Sequence, residues 1–218
     1  MGLFHSPRLV TDNLVLCLDA ANPKSYPGSG TTWTDLSGRG NNGTLTNGPT
    51  YSSDNGGSIV FDATDDGFSG NFVCSKTFYS VDFWCYPTQL INFNWAMGFG
   101  GWGNFLVHTT STGGVYVGTS VASRISPWRN NVFVLNTWQN FTWTFDNGAA
   151  KFYKNSVLET SANLALSASS QFTGYDGGGS SGGNCSGRMS NFKVYSNKVL
   201  TAAEVQQNFN ALRGRYGV

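Results

Sequence analysis

Few residues in this chain are of a type that could do chemistry, and they are widely spaced. Hydrolysing a glycosidic bond needs two carboxylates flanking it, yet the 218 residues include only two glutamates, Glu159 and Glu204. Glu204 follows Thr201 by three positions, a capping-box spacing that commits the carboxylate to a helix N-terminus. Glu159 falls near a hairpin end. Asp82, in Val-Asp-Phe-Trp-Cys, has no acid two or four positions along the same strand face. A Ser-His-Asp relay would need His5 or His108. His5 lies in an N-terminal arm, and His108 precedes Thr-Thr-Ser-Thr-Gly-Gly with no G-x-S-x-G elbow. The expectation is a protein without enzymatic activity.

Binding chemistry has more to work with. Calcium takes oxygens from Asp, Asn and turn carbonyls at about 2.3–2.6 Å. Two segments offer them, Asp35 to Asn42 and Asp62 to Asp66, which makes Asp35, Asn41, Asp62 and Asp65 candidate ligands. The same residue types also cap Gly-rich turns through the backbone. A sugar site needs an aromatic face beside amide or charged groups. Trp102 with Asn104, and Trp128 with Arg129, stand in loop-like sequence and are the candidates. The competing use of an aromatic is to fill the space between two sheets. For assembly, an arm over residues 1–13 carries Leu3, Phe4, Leu9 and Val10 around Pro7. Such an arm is stabilised either by packing on a neighbouring subunit or by pairing with its own domain.

The elements that must hold these groups are mostly strands. Aromatic residues make up 15% of the chain and charged residues 11%, and 28 positions are Gly. That composition excludes a long-helix protein and suits strands joined by tight turns. The net charge of +1 is scattered singly, which argues against nucleic-acid binding. No apolar run has the length of a signal peptide or a membrane-spanning helix, so a soluble protein made in the cytoplasm, without a membrane partner, is expected. Cys17, Cys74, Cys85 and Cys185 form no C-x-x-C pair and read as free thiols.

Residues 14–19 (LVLCLD) and 58–62 (SIVFD) read as buried strands, and FYSVDFWCYP as a strand half-buried on one face and stopped by Pro87. In WQNFTWTFDNG, Phe141, Trp143 and Phe145 share one face and Asn140, Thr142 and Thr144 the other, before an Asp-Asn-Gly hairpin signal. Residues 93–107 read as two short strands around a turn, and the Gly-rich stretch 174–187 as flexible. One helix follows Thr201, with Val205, Phe209 and Leu212 as its buried stripe and Arg213-Gly214 as its end. These features predict an all-β, antiparallel two-sheet sandwich over 14–218 with one C-terminal helix.

Three blocks carry a more specific signal. The first holds Trp33, Asp35, Ser37, Gly38, Gly40, Asn41, Gly43 and Phe61-Asp62. The second runs from Trp138 to Asp146 and then Tyr153-Lys154-Asn155-Ser156. The third holds Gly187, Met189, Val194, Tyr195, Leu200, Thr201, Glu204 and Val205. Together they resemble laminin-G-like, concanavalin A-like jelly-roll domains of tailed-phage virion proteins, especially those of phages infecting cyanobacteria. The pattern departs at Ser156, where the family usually has Gly. The resemblance implies a jelly roll that often holds calcium at the sandwich edge. It also implies a non-enzymatic role on the virion surface, as capsid decoration or fibre component. Partners would be other virion proteins, further copies of the chain and a host-surface glycan; a carbohydrate-binding adhesin is the alternative.

Overall fold

The computed structural model describes residues 7–90, 94–99, 106–109, 112–118, 124–125, 132–164, 171–178 and 185–218. In chain order the strands are β1 (Leu14–Asp19), β2 (Thr32–Trp33), β3 (Gly43–Thr46), β4 (Thr50–Ser52), β5 (Ser58–Asp62), β6 (Gly67–Ser75), β7 (Phe78–Pro87) and β8 (Asn94–Phe99). They continue as β9 (Leu106–Thr109), β10 (Val115–Gly118), β11 (Arg124–Ile125), β12 (Gln139–Asp146), β13 (Ala149–Lys154), β14 (Val157–Asn163), β15 (Gln171–Gly178) and β16 (Ser186–Ser196). Helix α1 (Ala202–Tyr216) closes the chain. One sheet has the order β14-β13-β12-β7-β16-β5-β4, with β1 also paired to β16; the other has the order β11-β10-β9-β8-β15-β6-β3-β2. All these pairs are antiparallel, and the two sheets form the jelly-roll sandwich expected from the residues.

The core between the sheets is aromatic. Phe141, Trp143 and Phe145 of β12 are fully buried there, as their period-two spacing predicts. Phe83 stacks on Trp143 with centroids 5.4 Å apart, and Tyr79 on Phe145 at 4.4 Å. The second sheet answers with Trp33, Leu45, Phe68, Phe72 and Cys74. Each such side chain contributes about 1.5–3 kcal/mol by leaving water. The Asp146–Ala149 hairpin turns through Asn147 (φ 46) and Gly148 (φ 93), the two left-handed residues that a tight two-residue loop needs.

Strand β7 departs from the half-buried expectation: every residue from Tyr79 to Cys85 is buried. Helix α1 lies on the outer face of the first sheet, where Trp84 stacks on Phe209 at 5.5 Å and Trp138 meets Tyr216 at 4.7 Å. The helix also runs past the expected stop at Gly214. Its last residue, Tyr216, is buried, and the left-handed cap is Gly217 (φ 71). Burying the Tyr216 ring holds the final turn in helical form, and Gly214 is tolerated inside it.

Two further details set which side chains face the helix. In β16, Met189 pairs with Cys85 and Asn191 with Trp84, so Ser190 has no partner on β7 and forms a bulge. The bulge shifts the strand's alternation: Met189, Phe192 and Val194 all enter the core, while Asn191, Lys193 and Tyr195 face outward. At Gly187 (φ 121), an added Cβ would sit 2.1 Å from the Tyr86 carbonyl oxygen, so the crossing of β16 past β7 requires glycine. The Gly-rich stretch expected to be flexible supplies part of β15, inside the second sheet between β6 and β8.

The arm is also placed differently from a free assembly element. The Val10 amide donates to Asn208 Oδ1 at 2.9 Å, and Tyr195 Oη donates to the Val10 carbonyl at 3.0 Å. Leu9 packs against the cluster of Trp84, Phe209 and Tyr216, and Val10 is buried. Leu9 and Val10 are therefore committed within the chain, because the helix presents both apolar surface and a buried amide to them. Leu3 and Phe4 lie outside the described residues.

Candidate functional site

The turn between β5 and β6 joins the two sheets and concentrates negative charge. Asp62, Asp65 and Asp66 each bring a carboxylate oxygen within 4.8 Å of the others. Ala63 adopts a left-handed φ of 71, which tightens the turn, and Asp62 Oδ1 accepts from the Thr64 amide at 2.7 Å. Asp66 is buried; its Oδ2 accepts from the Asp62 amide at 2.9 Å, while its Oδ1 has no hydrogen-bond partner. Burial pushes the Asp66 carboxyl above its ordinary value; the Asp62 amide opposes this, and the nearby Asp62 and Asp65 charges reinforce it. A hard cation bound here would reverse all of these penalties, so the three carboxylates fit calcium by donor chemistry. Asp66 was the member that sequence spacing did not single out.

The other proposed calcium segment does not fit. Asp35 Oδ1 accepts from the Cys17 and Ser37 amides, both at 2.8 Å. Its Oδ2 accepts from Ser37 Oγ at 2.7 Å and from the Asn41 amide at 3.0 Å. Asn41 Nδ2 donates to the Val15 carbonyl at 2.7 Å. Four accepted bonds fill the carboxylate's lone pairs, so Asp35 and Asn41 organise the turn after β2 and hold it against β1. Asp62 pairs with Ser186 and Cys17 with Lys193, which places the two acidic turns roughly 20 Å apart along β16.

The outer faces of the two sheets differ. That of the second sheet is open over β2, β3 and β6. There Thr32 pairs with Thr44 and Thr44 with Ser69; Thr32, Thr44 and Asn71 are exposed and Ser69 half-exposed, beside an exposed Val73. This surface carries hydroxyl and amide groups without charge. A groove of about 480 Å³ beside the N-terminus of α1 is lined by Thr144, Asp146, Lys151, Tyr153 and Thr201. Its aromatic residue, Tyr153, is buried and presents no ring for stacking. The expected sugar-binding residues Trp102, Asn104, Trp128 and Arg129 lie outside the described residues.

Two of the groups considered for catalysis, Glu204 and Asp82, are engaged structurally. Glu204 completes the capping box with Thr201 and bridges to Lys198 at 2.7 Å. Asp82 is fully buried beside Lys193, a pairing across β7 and β16 that strand alternation alone did not reveal. All four cysteines are buried free thiols. Burial raises Cys17 to about 11 and Cys74 and Cys185 to about 12, which suppresses the nucleophilic thiolate.

Comparisons agree with this architecture. Residues 54–206 match a family described as the concanavalin A-like lectin/glucanases superfamily. A search of curated proteins gives no match. Among solved structures, the chain is similar to the botulinum neurotoxin serotype D binding domain, with TM-score 0.70 and 13% identity. That match covers 92% of this chain and 52% of the other, so the chain spans about half of the toxin domain. It is similar to domain 4 of AbnA, a GH43 extracellular arabinanase from Geobacillus stearothermophilus solved with arabinotriose, with TM-score 0.65 and 19% identity over 90% of this chain and 98% of that one. It is also similar to Trypanosoma rangeli sialidase, with TM-score 0.65 and 13% identity over 93% of this chain and 33% of that one.

Proposed function

The chain belongs to the concanavalin A-like lectin/glucanases superfamily, and from that premise we propose that it is a non-catalytic carbohydrate-binding module on the surface of a tailed-phage particle. The observation that carries the binding role is the domain-for-domain correspondence with the arabinanase domain bound to arabinotriose, which this chain covers almost completely. The geometry supports it by elimination of surface. Helix α1 and the arm cover the outer face of the first sheet around Trp84 and Trp138, whereas Thr32, Thr44, Ser69 and Asn71 keep an uncharged hydroxyl and amide surface open on the second. Sugar hydroxyls pair with such groups, and Trp102 and Trp128 are the rings expected from the sequence to stack on a sugar. The virion setting rests on the resemblance carried by Trp33, Asp35, Ser37 and the Gly187-to-Val205 block. A homo-oligomer on the particle would draw on Leu3 and Phe4, since Leu9 and Val10 already pack internally.

The test is binding to an array of polysaccharides that includes arabinan fragments and bacterial surface glycans, with product release measured alongside. Binding lost on Trp102→Ala or Trp128→Ala, without cleavage, is the expected result. A flat array with folded protein removes the binding role, and released oligosaccharide removes the non-catalytic one. Mass spectrometry of purified virions tests the setting: absence of the protein from particles overturns it.

A further inference from the structure

The face of the first sheet covered by α1 contains a sealed polar cluster. Lys193 Nζ lies 2.6 Å from Asp82 Oδ1, and both side chains are fully buried. Asp82 Oδ2 is held by Thr142 Oγ1 at 2.7 Å and by Asn140 Nδ2 at 3.2 Å. Lys193 Nζ also donates to Asn191 Oδ1, and Asn191 Nδ2 has no hydrogen-bond partner. An amine, a primary amide with an unanchored leaving group, and a carboxylate touching the amine are thus fixed together away from water. The bulge at Ser190 creates this arrangement by turning Asn191 and Lys193 outward together.

We propose that Lys193 forms an intramolecular isopeptide bond with Asn191, with Asp82 carrying protons. Transfer of one proton from Nζ to Asp82 leaves an uncharged amine and acid. The Nζ lone pair then attacks Asn191 Cγ, and Asp82 protonates the departing Nδ2 while accepting the proton that Nζ loses. The Nζ–Cγ bond forms, the Cγ–Nδ2 bond breaks and one ammonia leaves. The proton remaining from the original ammonium stays on the Asp82 carboxyl, so charge and atoms balance without an oxidant or reductant. Asp82 is the less suitable electrophile. Condensation there would expel water from a carboxyl, with no second acid among the described residues of the cluster to carry the protons. Proximity supplies the rate, because strand and bulge hold Nζ against the amide in place of a chance encounter. Exclusion of water suppresses competing hydrolysis. The product removes a buried positive charge, which otherwise carries a heavy desolvation cost.

The experiment is the intact mass of the purified full chain, followed by tryptic digestion of the denatured protein. The expected chain is lighter than its sequence by one ammonia, and the loss maps to a single peptide from Met189 to Lys198 left uncut after Lys193. Chain that has never folded, recovered from denaturant, is expected at full mass. Full mass in the folded protein, with separate peptides 189–193 and 194–198, overturns the proposal. So does loss of one water with a cross-link to the peptide containing Asp82, or an ammonia loss that leaves Lys193 cleavable.

Discussion

Trp84 and Tyr216 stack with ring centroids 4.2 Å apart and planes inclined by 24°, which pins the last turn of α1 to the outer face of β7. Both rings are buried, and Phe209 stacks on the same indole. Tyr216→Ala should cost about 3–5 kcal/mol, the range for deleting a large buried aromatic. Tyr216→Phe, which keeps the stack and removes a buried hydroxyl that has no hydrogen-bond partner, should cost little or nothing. Urea unfolding of the two variants separates ring packing from the hydroxyl.

The turn at Asn155 and Ser156 places both residues in the left-handed region, with φ 48 and 65. Asn tolerates this conformation; Ser is strained by its Cβ. Ser156→Gly should therefore raise stability by about 0.5–1 kcal/mol, net of the added freedom of the unfolded chain. Thermal unfolding should register an upward shift, and a downward one would show that the Ser156 side chain contributes more than the strain removes.

At the acidic turn, Asp66 is harder to ionise folded than unfolded, because burial and its neighbours oppose the charge. A raised folded value means that stability falls as pH rises through the window just above the ordinary aspartate value. Without divalent cations, Asp66→Asn should be more stable than the native chain at neutral pH. With calcium at a hundredfold excess over its dissociation constant, the native chain should gain about 2.7 kcal/mol and Asp66→Asn much less. Asp35→Asn should lower the melting temperature equally with calcium or chelator. Differential scanning fluorimetry reads all three.

Glu204 shifts the other way. Burial works to raise its value, but Lys198 and the two Thr201 hydrogen bonds outweigh it and hold the carboxyl below the ordinary glutamate range. A depressed folded value gives stability that is present above the unfolded value and lost as pH falls through the folded one. Glu204→Gln retains an amide able to serve in the capping box but removes that acid-side dependence. Thr201→Ala should cost about 1 kcal/mol at neutral pH and less at acid pH, where the Glu204 carboxylate that its hydroxyl donates to is protonated. Denaturation midpoints from neutral to acidic pH should converge for the native chain and Glu204→Gln only at the acid end.

Much of the fold was legible because strand alternation and turn chemistry are local. The spacing of Phe141, Trp143 and Phe145 marked a core face, Asn147-Gly148 marked a hairpin, and Thr201 with Glu204 marked a helix start, each through interactions spanning only a few residues. The acidic turn was legible in part, as Asp62 and Asp65. Asp66 was less visible as the decisive member because its burial depends on the sheets that close around it.

What the sequence by itself determined, then, was the sandwich, its aromatic core and the capped C-terminal helix, since these follow from side-chain period and backbone preference. Tertiary structure decided what lies against the outer face of the first sheet. Asn140, Thr142, Asn191 and Lys193 alternate with apolar residues as solvent-facing positions would. Yet all four are fully buried, because a helix at the far end of the chain docks on Trp84 and brings the arm with it. Alternation records which side of a strand a residue occupies; only long-range packing records whether water or protein is on that side.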